Sequence, residues 1–151
     1  MRADVPHPVR KYVDEVAEKF GAKCIILWGS RARGDHTPHS DYDLIVIADF
    51  KEKFLDRLAA LMELAPPKPN IEALGYTPSE FEKMFQQGNV TALDAIHEGT
   101  PLHGEEYFNK YSKQLKKLLN AGLKRTSTWK PPNTQKTKKK NKNRQQQEQG
   151  F

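Results

Sequence analysis

Two aspartates separated by a single residue, Asp41 and Asp43, are the side chains in this sequence best suited to chemistry. They open a segment, residues 41–47, in which positions alternate between two faces of an extended strand. In such a strand both carboxylates point the same way, about 6 to 7 Å apart along the chain. Two like charges placed in this way repel each other unless a cation lies between them, and Mg²⁺ prefers oxygen ligands of this kind. The pattern therefore predicts a strand that presents a pair of metal-binding acids.

A Gly-Ser pair, Gly29 and Ser30, follows a continuous apolar run and precedes the acids by ten residues. A Gly-Ser turn presents backbone N–H groups and a hydroxyl, and glycine allows phosphate oxygens to approach the backbone closely. Arg31 and Arg33 come next, and a guanidinium near phosphates neutralises their charge. We expect Arg33 to contact such a phosphate. The alternative is that one of the two arginines is a surface residue or pairs with Asp35.

The order and spacing of these parts resemble a known family signature. Gly29-Ser30, ten residues and then Asp41-x-Asp43, set between an apolar and an amphipathic strand, are similar to the signature of the nucleotidyltransferase superfamily that includes DNA polymerase β. The sequence looks most like the minimal nucleotidyltransferases (MNT), which are small bacterial and archaeal proteins. This resemblance covers about residues 20–104. It implies an α+β fold, with a small mixed β-sheet flanked by helices as in polymerase β-like nucleotidyltransferases.

The resemblance also implies a role for each matching residue. Gly29 and Ser30 would grip the triphosphate of an NTP, and Asp41 and Asp43 would hold two Mg²⁺ ions. A third carboxylate comes from a later strand in this superfamily, and Glu72, flanked by apolar residues, is the good candidate here. Glu72 would coordinate a metal ion and help to deprotonate the attacking hydroxyl. The alternative for Glu72 is an exposed acid on a half-buried strand.

The implied enzyme transfers a nucleoside monophosphate, AMP in our interpretation, from an NTP to a hydroxyl with release of pyrophosphate. Only about fifty residues separate Glu72 from the basic end of the chain, so the acceptor would be held by a protein partner, a dimer mate or the tail. MNT proteins are commonly paired with helical HEPN toxins in toxin–antitoxin systems and add AMP to the toxin. We expect that function here. The alternatives are transfer to a small molecule or RNA, and a non-catalytic binding module.

Hydrophobic periodicity and turn residues predict the elements that must position these side chains. Proline at a first helical turn and glycine after a last turn mark several of the helix ends. We expect helices at residues 8–20, 54–62, 78–87, 91–98 and from 108 to near 122, a short helix at 31–34, and strands at 23–28, 41–47, 70–76 and 101–103.

The charge of the chain is divided unevenly along its length. Residues 1–123 contain 16 Lys and Arg against 18 Asp and Glu, whereas residues 124–151 contain 9 against 1. We therefore predict a nucleotidyltransferase domain at 1–123, an extended segment at 124–135 that contains Trp129, and a basic, glutamine-rich disordered tail at 136–151. Trp129 would anchor the segment or be incidental, and the tail is a possible nucleic-acid contact.

Three further observations limit the alternatives. No stretch approaches the run of about 18 apolar residues that a membrane span needs, and residues 1–10 lack the apolar core of a signal peptide, so we expect a cytoplasmic protein. The single cysteine, Cys24, lies in an apolar run and is expected to be a buried hydrophobic residue. His36 and His39 precede the acids, but without an adjacent cysteine or third histidine we do not expect a zinc site.

Overall fold

A four-stranded mixed sheet with helices on both faces forms the centre of the computed structural model, which describes residues 4–125 and 128–131. Its strands are β1 (Cys24–Trp28), β2 (Tyr42–Ile47), β3 (Ile71–Tyr76) and β4 (Thr100–His103), in the order β3-β2-β1-β4. β1 pairs antiparallel with both β2 and β4, and β2 pairs parallel with β3. The predicted fold class is therefore confirmed, and the strand predicted at residues 101–103 lies at an edge.

Each helix that the periodicity predicts is present among the described residues. Most ends lie within one or two residues of the prediction, but the last helix starts earlier, at Glu105, directly after the left-handed Gly104. Two acids in its first turn favour this start because they complement the helix dipole. The helices are α1 (His7–Phe20), α2 (Ser30–Arg33), α3 (Phe54–Glu63), α4 (Pro78–Gln86), α5 (Val90–Glu98) and α6 (Glu105–Asn120).

The alternation of β2 divides the hydrophobic core into two layers. Tyr42 and Leu44 face a first layer built with α1 and α3, while Ile45 and Ile47 face a second layer built with α4, α5 and α6. Asp43 belongs to the same face as the second pair, at the end of β2 where the apolar side chains stop. The core thus holds β2 on both faces, while Asp43 alone among its residues remains partly exposed.

A buried arginine ties α3 to the end of β3 and to α4. Arg57 is only 6% exposed, and its guanidinium donates to the Glu80 carboxylate at 2.7 and 3.2 Å and to the carbonyl of Gly75 at 3.2 Å. Glu80 in turn accepts the N–H of Thr77 and completes the capping box of α4. The hydrogen bond from Arg57 lowers the pKa of Glu80, so the pair is ionised. This pair fixes the end of the strand that carries Glu72.

A short ribbon of two strands follows α6 and docks on α5. The ribbon pairs β5 (Lys124–Arg125) with β6 (Trp129–Lys130). Trp129 is 7% exposed, and its indole N–H donates to the carboxylate of Asp94 at 2.9 Å. Arg125 donates to the same carboxylate at 2.9 Å. The indole therefore anchors the described part of this segment on its own domain.

The remaining C-terminal residues fall outside the described part of the chain. This concerns the predicted tail at 136–151 and the end of the predicted segment at 124–135. Across residues 4–125 and 128–131, every helix is too short or too polar to cross a bilayer.

Replacing Trp129 with alanine should lower the free energy of unfolding by about 2 kcal/mol, less than the 3 to 5 typical of a core tryptophan, because a terminal segment can detach without opening the core. A chain ending at Leu123 should lose a similar amount. Urea unfolding followed by circular dichroism measures both. Leu118→Ala, at an exposed position of α6, is the control and should change stability little. Equal stability of Trp129→Ala and the wild type would contradict docking.

Candidate active site

The Gly-Ser turn has a backbone conformation that demands glycine. Gly29 has φ +79° and ψ −159°, a region that residues with a Cβ rarely enter. Its carbonyl accepts the N–H groups of Ala32 and Arg33, each at 3.0 Å, and so starts α2. Ser30 is the first residue of that helix. Because the first N–H groups of a helix have no acceptor within it, the turn offers them to a ligand.

The Asp43 carboxylate lies directly against this turn. A Cβ added at Gly29 would lie 2.6 Å from Asp43 Oδ2, closer than any side chain permits. The antiparallel pairing of β1 with β2 creates the contact, since it places Trp28 opposite Asp43. The two parts of the sequence signature, ten residues apart in the chain, are therefore in contact across the end of the sheet.

Glu72 lies beside Asp43 on the neighbouring strand. The parallel register of β2 and β3 pairs these two residues, so their side chains share one face of the sheet. Asp41 immediately precedes β2 and is half-buried, as Asp43 is, whereas Glu72 is exposed. Burial, reinforced by the charges of Glu72 and Asp41 and opposed by Arg33, raises the pKa of Asp43. The three predicted acids are close enough to influence one another.

The side chains of these acids are ligands of the kind that divalent cations prefer, although their oxygens are not arranged around a common point in this structure. No group of three His, Cys, Asp or Glu side chains in the described ranges is already arranged to hold a metal ion. The donor set consists of carboxylate oxygens, which hard cations such as Mg²⁺ prefer. A cation beside Asp43 would also favour the ionised carboxylate, which burial and the charges of Glu72 and Asp41 disfavour.

Arg31 organises the loop between the turn and the acids. Its guanidinium donates to the carbonyl of Ser40 at 3.0 and 3.2 Å and to that of Pro38 at 3.3 Å. The same guanidinium lies 4.4 Å from the centre of the Tyr42 ring. Arg31 thus ties the short helix after Gly29-Ser30 to the residues around Asp41. Sequence reasoning missed this role because the acceptors are backbone carbonyls, which leave no mark on side-chain patterns.

Arg33 is engaged by two carboxylates. Its Nε donates to Asp35 at 3.1 Å and its NH1 donates to Glu98, in the last turn of α5, at 2.9 Å. These hydrogen bonds raise the pKa of Arg33. The sequence had left open that Arg33 pairs with Asp35, and it does. The second bond of Arg33, to Glu98, was not predicted. A phosphate that binds Arg33 would have to share it with these acids or displace one of them.

The cysteine and the histidines considered in the sequence analysis lie in the core, in an exposed loop or against the C-terminal ribbon. Cys24 is buried, and burial raises the pKa of its thiol to about 12, which confirms its prediction as a hydrophobic core residue. His36 and His39 are exposed in the loop before the acids. His97 packs edge-on against the Trp129 indole, with ring centres 5.2 Å apart.

A sequence profile described as the nucleotidyltransferase domain matches residues 9–142 of this chain. The chain belongs to the nucleotidyltransferase domain family. The match spans most of the sequence and includes all the residues of the predicted signature. The resemblance to nucleotidyltransferases and the predicted class of enzyme are thereby confirmed. No functionally curated protein matches the chain.

Several solved structures are similar to this nucleotidyltransferase. A protein from Sulfolobus solfataricus, described as a candidate nucleotidyltransferase, is 24% identical with a TM-score of 0.44, over 50% of this chain and 69% of the other. A mutant of the toxin–antitoxin MntA-HpeT is 17% identical with a TM-score of 0.48, over 78% and 91%. A toxin–antitoxin with AMP-PNP is 15% identical with a TM-score of 0.44, over 74% and 90%. Because these identities and TM-scores are low, the assignment of the chain to its family rests on the match to the family profile.

Gly29→Ala should displace the Asp43 carboxylate as well as strain the backbone of the nucleotidyltransferase. We expect a loss of about 2 kcal/mol or more in the free energy of unfolding, measured by urea unfolding. Gly88→Ala is the control for a positive φ, because Gly88 has φ +74° but open space around an added Cβ. That variant should suffer only the strain of its own positive φ. Equal losses for the two variants would show that the Asp43 contact contributes nothing.

Asp43→Asn should make the metal-free protein more stable at neutral pH. The folded-state pKa of Asp43 is raised, so its contribution to stability is fully present below the unfolded-state pKa and is lost as pH rises through the folded-state pKa. The asparagine removes this loss, and its advantage should vanish as pH falls. Melting temperatures in EDTA between pH 4 and 8 test this. The exposed Asp49→Asn is the control, and a destabilised Asp43→Asn at pH 7 would contradict the electrostatics.

Proposed function

We propose that this nucleotidyltransferase moves AMP from ATP to a hydroxyl on a separate protein partner of the HEPN type, with Mg²⁺ as cofactor. The observation that carries the proposal is the contact of the Asp43 carboxylate with Gly29. It puts the Asp43 carboxylate beside a turn whose N–H groups suit phosphate oxygens. Substrate phosphates and the groups that act on them would therefore meet at one point.

The nucleotide would be held by the turn and the short helix that follows it. The N–H groups after Gly29 and the Ser30 hydroxyl would donate to the triphosphate, and Arg33 would supply a positive charge at the same end. Arg33 is exposed on the surface, and its carboxylate partners leave it within reach of an incoming phosphate. Exchange of one carboxylate for a phosphate oxygen would keep its hydrogen bonds satisfied.

Asp41, Asp43 and Glu72 would hold Mg²⁺. Bound there, the ions would neutralise phosphate charge and lower the pKa of the acceptor hydroxyl. Glu72 is the exposed member of the three and lies on β3, one of the two edge strands of the sheet. It is thus the acid that an acceptor from solution could reach, and the one suited to receive the hydroxyl proton.

The reaction would be an in-line displacement at the α-phosphorus. The acceptor oxygen forms a bond to that phosphorus, the bond to the bridging oxygen breaks, and pyrophosphate leaves. The proton of the hydroxyl passes to Glu72. No covalent bond to the protein is needed, and the protein contributes mainly by positioning the reactants and neutralising charge.

The acceptor would come from another molecule, because the described helices that follow β3 pack against the sheet and form part of the hydrophobic core. α4, α5 and α6 bury their apolar side chains against the sheet, in the second hydrophobic layer. Within residues 4–125 and 128–131, no further unit remains that would bind an acceptor. The resemblance to MNT proteins gives the kind of partner, a helical HEPN protein.

Incubation of the full chain with ATP labelled at the α-phosphate, Mg²⁺ and a lysate should label one protein. Asp41→Asn, Asp43→Asn and Glu72→Gln should each lower labelling by about two orders of magnitude or more, because each removes a ligand or the proton acceptor. Asp49→Asn is the control and should label normally. Circular dichroism spectra should be the same for all variants.

The nature of the labelled species decides between the functions. Labelled RNA or a labelled small molecule would contradict a protein acceptor while preserving nucleotidyl transfer. Stabilisation by Mg-ATP without any transfer would support a binding module and overturn the proposal. Such binding should raise the free energy of unfolding by about 1.4 kcal/mol at a ligand concentration ten times Kd.

A further inference from the structure

A block of positive charge begins inside α6. Residues 107–147 contain 13 Lys and Arg and no Asp or Glu, whereas residues 1–106 contain 12 Lys and Arg against 18 Asp and Glu. The boundary therefore lies within the folded domain, well before the predicted tail at 136–151. The part of this charge that lies on α6 is held in a fixed arrangement by the helix.

Four lysines of this block share the outward side of α6. They follow one another at spacings of three, three and one residues, which places them within about a third of the helix circumference, and all four are exposed. The opposite side of the helix is buried in the second hydrophobic layer. The lysine face defined in this way consists of Lys110, Lys113, Lys116 and Lys117.

The acids around the lysine face lie near its N-terminal end. Glu105 and Glu106 are in the first turn of α6, and Glu82 on α4 is close enough to Lys110 to interact with its charge. Among the described residues, none of the three lysines beyond Lys110 forms an ion pair with a carboxylate. The C-terminal half of the face therefore carries positive charge that the described acids do not compensate.

The ribbon that follows α6 adds two further lysines. Lys124 lies opposite Lys130 in the pairing of its two strands, while Arg125 and Trp129 bind Asp94. Neighbouring residues of a strand point to opposite faces, so the two lysines point away from Asp94. Like charges directly opposite each other in a strand pair repel. An anion from outside the domain would relieve this repulsion.

The stability of the helix explains only part of the lysine face. A base in the last turn complements the helix dipole, as Lys117 does. Lys113 lies in the middle of α6, where Lys110, Lys116 and Lys117 are three or four residues away. Like charges at these spacings destabilise a helix. The face is therefore unfavourable for the isolated helix, and a polyanion bound to it would offset the repulsion.

The composition of the face indicates which polyanion it suits. Proteins bind single-stranded nucleic acids on exposed aromatic rings that stack with the bases. The aromatic residues of α6 are buried or half-buried, and the Lys110 ammonium lies over the half-buried Tyr107 ring, 4.8 Å from its centre. Without rings for unpaired bases, the face offers charge to phosphates, which a duplex displays along its outside.

The shape of the element favours DNA over RNA. A helix with side chains pointing outward along its length can lie against the major groove of B-form DNA, which is about 12 Å wide. In A-form RNA the major groove is too deep and narrow for side chains to read. The helix α6 has 16 residues, and its outward side is lysine-rich over its C-terminal half.

We propose that the lysine face of α6 binds double-stranded DNA through its phosphates, without regard to base sequence. Lys113, Lys116 and Lys117 each contact a phosphate, and the ribbon lysines add to the positive charge that follows in the chain. A lysine ammonium is a flexible point charge, so it pairs with phosphate oxygens without selecting a base. The inference stands on the charges of α6 and the ribbon, and it does not require nucleotidyl transfer.

Fluorescence anisotropy of the full chain with a labelled DNA duplex of about 20 base pairs should show binding that weakens steeply as salt rises. Changing Lys113, Lys116 and Lys117 together to glutamine should raise Kd about tenfold or more at about 50 mM salt. The same triple variant should lower the slope of log K against log salt by about 2.7, which corresponds to three phosphate contacts at about 0.9 each. Its melting temperature should stay close to that of the wild type, because the change removes like-charge repulsion from α6.

The matched control changes three exposed lysines elsewhere, Lys51, Lys53 and Lys68, together to glutamine. It lowers the net charge by the same amount and should leave the salt slope unchanged. Equal losses in the two triple variants would show that net charge alone attracts DNA and would overturn the proposal. So would an unchanged slope in the α6 variant, which would assign the binding to other cations of the chain.

The choice of probe tests the partner. The same chain should bind the DNA duplex more tightly than a single strand or an RNA duplex of the same length and sequence. Poly-glutamate at the same charge concentration should compete poorly. Tighter binding of either RNA or a single strand, equal competition by poly-glutamate, or no binding of the duplex at low salt would overturn double-stranded DNA as the partner.

Discussion

The contact between Gly29 and the Asp43 carboxylate is the constraint around which the site is arranged. Glycine is required there, since φ is +79° and an added Cβ would displace the Asp43 carboxylate, whose Oδ2 would lie only 2.6 Å away. The carboxylate is half-buried, and its burial, together with the charges of Glu72 and Asp41, raises its pKa, so a cation bound beside it would favour its ionised form. The pairing of β1 with β2 and the bonds that Arg31 makes to the intervening loop hold this arrangement in place.

One short helix, α5, connects the site to the C-terminal segment. Glu98 in its last turn binds Arg33, and Asp94, one turn earlier on the same side, binds Trp129 and Arg125. Both acids accept hydrogen bonds in the described structure, so α5 is bound to Arg33 at its C-terminal end and to the C-terminal ribbon one turn earlier. The position of Arg33 is therefore linked to the docking of residues far along the chain.

Local patterns predicted the fold well and the site in part. The two-residue period of β2 placed Asp43 on the face of Ile45 and Ile47, as observed. Glu72 lies beside Asp43 because β2 and β3 pair in one particular register. The spacing of residues along the chain does not determine that pairing. The bond of Arg33 to Glu98 joins residues 65 positions apart, beyond the reach of any periodic pattern.

The exposure of the three acids suggests a division of their proposed roles. Asp43, half-buried against the Gly29-Ser30 turn, would hold a cation in place, because its burial limits its movement. Glu72, exposed on an edge strand, is open to a hydroxyl that arrives from outside.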